Sequence, residues 1–189
     1  MSDITTLPLP KERNLYFSTG VDEETIGMLS KDIIAINEHD SLLTRLYDVY
    51  DLDYKPKPIN IYIDSYGGQV YQVLGLISIM EKSETSIHTY CTGTAMSAGF
   101  IMLISGHRRF AHKYSTIMLH QLGSGTWGVL KELEDYVVEM KRLQAVLDSV
   151  ILEKTKVTKA QLKTIYTEKL DWYLTSSEAL EFGMIDEIV

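Results

Sequence analysis

The residues best placed to do chemistry begin with Ser97, in Gly93-Thr-Ala-Met-Ser-Ala-Gly99, where a strand gives way to a helix. Its neighbours Ala95, Ala98 and Gly99 are small, so the hydroxyl is open to a substrate whose backbone must close in on it. A serine at a helix start also has unpaired N–H groups and the positive end of the helix dipole beside the charge its attack would create. This is the arrangement of a nucleophile elbow, although the G-x-S-x-G spelling is absent. The commoner use of such a serine is to cap the helix. Asp64-Ser-Tyr-Gly-Gly68 lies at the C-terminal end of another strand, the edge at which parallel sheets bind ligands. Its paired glycines let the backbone approach a bound group and offer N–H donors to an oxyanion, or simply make a tight turn.

His120 ends the apolar run Thr116–Leu119 and is followed by Gln121-Leu-Gly123. That setting suits a general base with a near-neutral pKa, and equally a hydrogen-bonded structural histidine. Asp171 stands a few residues before a capped helix, where an acid either orients a histidine or occupies a surface turn. His39, His88, His107 and His112 lack a comparable setting. No pair of histidines has metal-ligand spacing on one helix face, which argues against a metal site. The one cysteine, Cys91, lies in the apolar run Ser86–Gly93 and reads as a small buried hydrophobe.

These groups need a scaffold, and 189 residues fit a single domain that buries roughly 70% of its unfolded surface. A 45% hydrophobic and 23% charged composition is that of a soluble globular protein. The net charge of -8, with no basic stripe, argues against nucleic acid. There is no secretion signal at Met1–Pro10 and no apolar run of membrane-spanning length, so neither a membrane nor export is expected, and a cytoplasmic setting is the default.

All four prolines fall before Ile59. Residues 1–13 read as an irregular arm and Asn14–Ser18 as a short strand. A helix opens at Val21 or Asp22 and runs to about Asn37, with Ile26, Leu29 and Ile33 on its apolar side. Glu38–Pro58, charged and tyrosine-rich, reads as a loop with room for a helical turn at Leu42–Tyr50. A strand–helix rhythm then begins: strand Ile59–Ile63, a turn at Gly67–Gly68 into a helix to Lys82, strand Ser86–Cys91, and a turn at Gly93 into a helix ending near Gly106. Arg109–Lys113 and Thr116–His120 are further strands. Such alternation predicts βαβ units and a largely parallel sheet, an α/β fold. Trp127–Lys154 has helical periodicity over about 28 residues, or roughly 42 Å. That helix either lies across its own domain or projects to bury its stripe on another subunit. Thr158–Gln161 and Thr175–Glu178 are capping boxes, Gly183 ends the last helix, and Met184–Val189 closes the chain as a strand.

The order and spelling of YIDSYGG, CTGTAMSAGFIMLISG, RRFAHKYSTIMLHQ, the long helix and DWYLTSSEALEFGMIDEI resemble the proteolytic subunit of the Clp protease, over about Lys11 to Val189. The resemblance implies a serine peptidase (a hydrolase) with Ser97 as nucleophile, His120 as base and Asp171 as the third triad member. It implies oxyanion donors at the N–H groups of Gly68 and Ala98. A substrate strand would lie along Gly67, Gln69 and Val70 on one side and Gln121 and Leu122 on the other. The implied fold is a crotonase-like β/α superhelix whose projecting handle helix joins two stacked rings of the same chain. The substrate would be unfolded polypeptide delivered by an AAA+ Clp unfoldase, which uses the ATP, so this chain would need no cofactor.

Some positions depart from the family pattern. Tyr66 and Leu122 stand where the family has proline. Leu170 and Trp172 flank Asp171 where the family has an arginine-containing charged pair. Asn60 stands two residues before Tyr62, the match to a tyrosine of the family's ATPase-docking pocket. The stretch Leu42–Lys57 reads as inserted, and the N-terminal arm is short. Two other readings share the fold: a catalytically silent ring subunit, and a crotonase-like acyl-CoA enzyme. Neither needs Ser97, His120 and Asp171 together.

Overall fold

A computed structural model of the chain describes residues 12–168 and 170–189. Most of the expected N-terminal arm therefore lies outside the described residues. The sheet consists of β1 (Asn14–Phe17), β2 (Ile59–Ser65), β3 (Ile87–Met96), β4 (Arg108–Ala111), β5 (Thr116–Leu119), β6 (Trp172–Thr175) and β7 (Glu187–Ile188). Five strands run in the order β1-β2-β3-β4-β7, all parallel. β3 is long enough to serve two neighbourhoods. Its first half pairs with β2 and β4, while Thr94–Met96 pairs with β5, which in turn takes β6 antiparallel. The α/β, largely parallel expectation is borne out.

The helices are α1 (Glu23–Val49), α2 (Val70–Lys82), α3 (Ala98–Ile104), α4 (Leu130–Lys154), α5 (Lys159–Glu168) and α6 (Ser176–Glu181). Along β2 the side chains alternate: Ile59, Ile61 and Ile63 are buried, whereas Asn60 and Tyr62 are half-buried. The buried set joins Ile33, Leu76, Phe100 and Leu103 in the core. On the opposite face, neighbouring strands in register stack Tyr16 on Tyr62, Tyr62 on Tyr90 and Tyr90 on Phe110, with centroids 5.1, 4.9 and 4.5 Å apart.

Four expected boundaries are corrected. α1 does not stop near Asn37 but continues to Val49, through half of the expected loop. No glycine or proline interrupts Glu38–Val49, and the apparent polarity conceals a tertiary anchor. Asp40 is buried and accepts hydrogen bonds from Arg13, from Thr85 Oγ1 at 2.7 Å and from the Tyr54 hydroxyl at 3.0 Å. β3 runs on through Gly93 to Met96 instead of turning there. A β carbon at Gly93 would meet the Asp64 carboxylate at 2.5 Å, so glycine is required for close approach of two strands, not for a turn. α4 begins at Leu130 rather than Trp127, after Gly128, and has 25 residues. The terminal strand is only Glu187–Ile188, while Gly183 (φ 63°) ends α6 as expected.

Thr175 caps α6 in a reciprocal box with Glu178, and Thr158 and Gln161 exchange the corresponding bonds ahead of α5. α4 is buried only in its C-terminal half, at Leu143, Leu147 and Ile151. Its N-terminal half leaves Leu130, Val137 and Val138 exposed. Among the described residues no helix is long and apolar enough to cross a membrane.

Candidate active site

Ser97 sits between β3 and α3 with φ 52° and ψ −118°, a conformation that costs an L-residue about 1–3 kcal/mol. Its hydroxyl caps nothing, so the capping alternative is set aside. The backbone is held instead by the Ser97 N–H, which donates to Met118 O of β5 at 3.0 Å. Ala98 opens α3, so its N–H has no acceptor within the helix.

The β2–α2 turn is packed against this elbow. Gly67 (φ 97°) and Gly68 (φ 151°) adopt conformations that disfavour side chains. A β carbon on Gly68 would stand 2.3 Å from Val21 O. The turn is fixed by a parallel bridge in which Val21 N–H donates to Gly67 O at 2.9 Å and Gln69 N–H to Val21 O at 2.7 Å. A residue bracketed in this way turns its own N–H to the other side, so the Gly68 N–H faces away from Val21. Asp64 braces β2 to β3 by accepting from Thr94 N–H at 2.8 Å and Thr94 Oγ1 at 3.0 Å, beside the register shift between Ile63 and Ser65.

His120 and Asp171 are brought together by strand pairing. β5 and β6 run antiparallel with Leu119 opposite Trp172, which puts the next residue of one strand beside the preceding residue of the other. His120 Nδ1 is 3.8 Å from Asp171 Oδ1, beyond hydrogen-bond reach, and the Asp171 side chain is 56% exposed. Ser97, Ala98, Val70, His120 and Leu122 line one cavity. Gln69 and Gln121 are exposed at its flanks.

The cavity is also lined by a residue that the sequence does not single out. Gln144 of α4 accepts from Leu122 N–H at 2.8 Å and donates to Asp148 Oδ1 at 2.8 Å and the Tyr166 hydroxyl at 3.0 Å. Tyr166 itself donates to Asp148 at 2.7 Å. Gln144 and Asp148, four apart within an apolar stripe, were the available signal.

The remaining candidates fall elsewhere. Cys91 is fully buried, and burial pushes its thiol up to about 12, which removes it as a nucleophile. His107 Nδ1 accepts from Ile87 N–H, His88 packs on Phe110, and His39 is buried beside Asp40. Among the described residues no three His, Cys, Asp or Glu side chains cluster as a metal site would require.

Compared with known proteins, the chain matches the sequence model of the Clp protease family over residues 9–189. The ATP-dependent Clp protease proteolytic subunit of Bacteroides thetaiotaomicron is 28% identical over 184 residues, covering 96% of this chain and 76% of that protein. The protein of the same name from Porphyromonas gingivalis is 28% identical over 183 residues, covering 96% and 75%. That of Dehalococcoides mccartyi is 26% identical over 189 residues, covering 99% and 86%.

Proposed function

The chain belongs to the Clp protease family, and from that membership we propose that it cleaves unfolded polypeptide with Ser97 as nucleophile, His120 as general base and Asp171 as its orienting acid. The observation that carries this reading is the strained Ser97 elbow, packed against the Gly67–Gly68 turn and sharing a cavity with His120. His120 takes the Ser97 proton as Oγ attacks the peptide carbonyl. The Gly68 and Ala98 N–H groups receive the oxyanion, each worth roughly 3–4 kcal/mol in a comparable hole. The protonated His120 then gives its proton to the leaving amine, and water, activated by the same imidazole, hydrolyses the acyl-enzyme. The substrate strand lies between the Gly67, Gln69 and Val70 edge and Gln121–Leu122. The Gln69 N–H is committed to Val21, which leaves Gly68 and Val70, at the start of α2, as donors on that edge.

In this reading the fold is a single crotonase-like β/α superhelix domain, and the exposed half of α4 is the handle between two stacked rings of the chain. The Tyr16–Tyr62–Tyr90–Phe110 ladder offers an apolar strip on which an ATP-hydrolysing Clp unfoldase docks, in the cytoplasm, with no cofactor needed in this chain. The 3.8 Å between His120 and Asp171 closes in the assembled particle. A fluorophosphonate probe should label Ser97 in the assembled protein, and Ser97→Ala should abolish both labelling and peptide cleavage. Absence of label on the native particle would sink the reading.

A further inference from the structure

Resting on the proposed peptidase, we infer that Gln144 is a positioning residue, through which α4 fixes the Gln121–Leu122 edge of the substrate cleft relative to the opposite edge. The Leu122 N–H donates to Gln144 Oε1 at 2.8 Å, which ties the segment after His120 to α4. Two residues on, the Ser124 and Tyr136 hydroxyls are hydrogen-bonded, so the same segment meets α4 a second time. On the other edge, Tyr71 directly follows Val70 in the first turn of α2, and its hydroxyl donates to Glu139 Oε1 at 2.5 Å. One helix is thereby bonded to both sides of the strip in which the substrate strand lies. These ties are unequal. Tyr71 is 58% exposed, so its bond competes with water and contributes little. Gln144 is half-buried, and its amide can face only one way. Nε2 donates to Asp148 Oδ1 at 2.8 Å and to the Tyr166 oxygen at 3.0 Å, while the Tyr166 hydroxyl gives its own proton to Asp148. Turning the amide over would set Oε1 against two acceptors, so Asp148 and Tyr166 hold Oε1 toward Leu122. Burial, together with the bond to Asp148, raises the Tyr166 pKa, so the hydroxyl keeps the proton that completes the brace. Position 122 is also where such a brace has a purpose. Proline, which the family has there, fixes φ covalently and has no N–H. Leu122 has a rotatable φ and an N–H to satisfy, and the bond to Gln144 restrains the one by engaging the other.

The test is steady-state hydrolysis of an extended fluorogenic peptide, long enough to lie along both edges, by the assembled protein. Gln144→Ala should raise KM by roughly three- to tenfold, the loss of one part-buried hydrogen bond. The change in kcat should be smaller, because Gln144 offers no group to the reacting atoms. Leu122→Pro deletes the donor and presets φ, so in that background Gln144→Ala should raise KM by less than about twofold. An effect of Gln144 on cavity size or on packing alone would instead carry over undiminished. Tyr166→Phe removes the hydroxyl that orients the amide and should raise KM by roughly two- to threefold, which keeps the test open if Gln144→Ala does not fold. A KM unmoved in folded Gln144→Ala or in folded Tyr166→Phe would overturn the inference. So would an equal rise from Gln144→Ala with and without Leu122→Pro. If wild-type protein neither cleaves the peptide nor takes a fluorophosphonate at Ser97, it is the peptidase reading that falls, and this inference with it.

Discussion

Gly67 lies directly against Ser97: a β carbon on Gly67 would stand 2.8 Å from Ser97 Cβ, 2.9 Å from Ala98 N and 2.6 Å from Met96 O. Two of those atoms are backbone, which does not swing aside. Gly67 also has φ 97°, so Gly67→Ala combines a steric push on the elbow with about 1–3 kcal/mol of backbone strain. The melting temperature should fall by roughly 2–12 °C. Labelling of Ser97 should fall by at least tenfold even where the variant is fully folded, because the push acts on Ser97 and on the Ala98 donor together. Calorimetry and the labelling rate, measured on one preparation, check both parts.

Ser97 carries strain of its own, and its removal separates stability from activity. Ser97→Gly relieves φ 52° in a residue whose hydroxyl makes no capping bond, so the variant should be more stable by about 1 kcal/mol while cleavage falls by roughly 10⁴-fold or more. Ser97→Ala should lose the same activity without the stabilisation, since alanine keeps the β carbon that makes the conformation costly. Paired denaturation curves of the two variants provide the check.

Much of this site could be read from the chain because its parts are local. The elbow, the glycine pair and the histidine at a strand end each occupy a few consecutive residues with distinctive small or turn-forming neighbours. What was not legible depends on partners far along the chain. Gly93 reads as a turn because its reason for being glycine, the Asp64 carboxylate, lies on another strand. The second half of α1 reads as a loop because the partners that bury Asp40, Arg13 and Thr85, lie far along the chain, before β1 and between α2 and β3. Asp171 meets His120 only through the antiparallel β5–β6 pairing, a register that no spacing in the chain announces.

Under the proposed mechanism the contribution of Asp171 depends on assembly. At 3.8 Å from His120 and more than half exposed, its carboxylate acts in the lone subunit as an exposed ion-pair partner, worth at most about 1 kcal/mol. Asp171→Asn should therefore slow Ser97 labelling by less than about fivefold in dissociated subunits. If assembly closes the hydrogen bond, as the proposed mechanism requires, the same change should cost roughly 10²–10⁴-fold in the particle. Equal effects in both states would show that assembly does not align the pair.

Acid should loosen the start of the sheet through Asp40. Burial alone would raise its pKa, but hydrogen bonds from Arg13, Thr85 and Tyr54 outweigh burial and hold it down to about 2. A folded-state pKa below the unfolded value of about 4 means that the contribution is fully present above pH 4 and is lost as the pH falls through 2. It is on the order of 1–2 kcal/mol. Wild-type stability should therefore decline across pH 4 to 2 more steeply than that of Asp40→Asn, which is less stable at pH 7 and has no such carboxyl to protonate. Urea midpoints across that range give the comparison.

The exposed half of α4 is the last place where sequence pattern and structure together make a demand. Val137 and Val138 are 48% and 67% exposed, although they belong to a helix whose other half is buried against the core. A helix face left apolar in the lone chain is either tolerated surface or an interface. Val138→Lys distinguishes the two because Val138 is largely exposed within the described chain. Stability of the monomer should change by no more than about 0.5 kcal/mol. If α4 joins two rings, the lysine places a charge in a desolvated interface without a partner, and native mass should fall from that of the double ring to that of single rings or smaller species. An unchanged large particle would remove α4 from the ring junction.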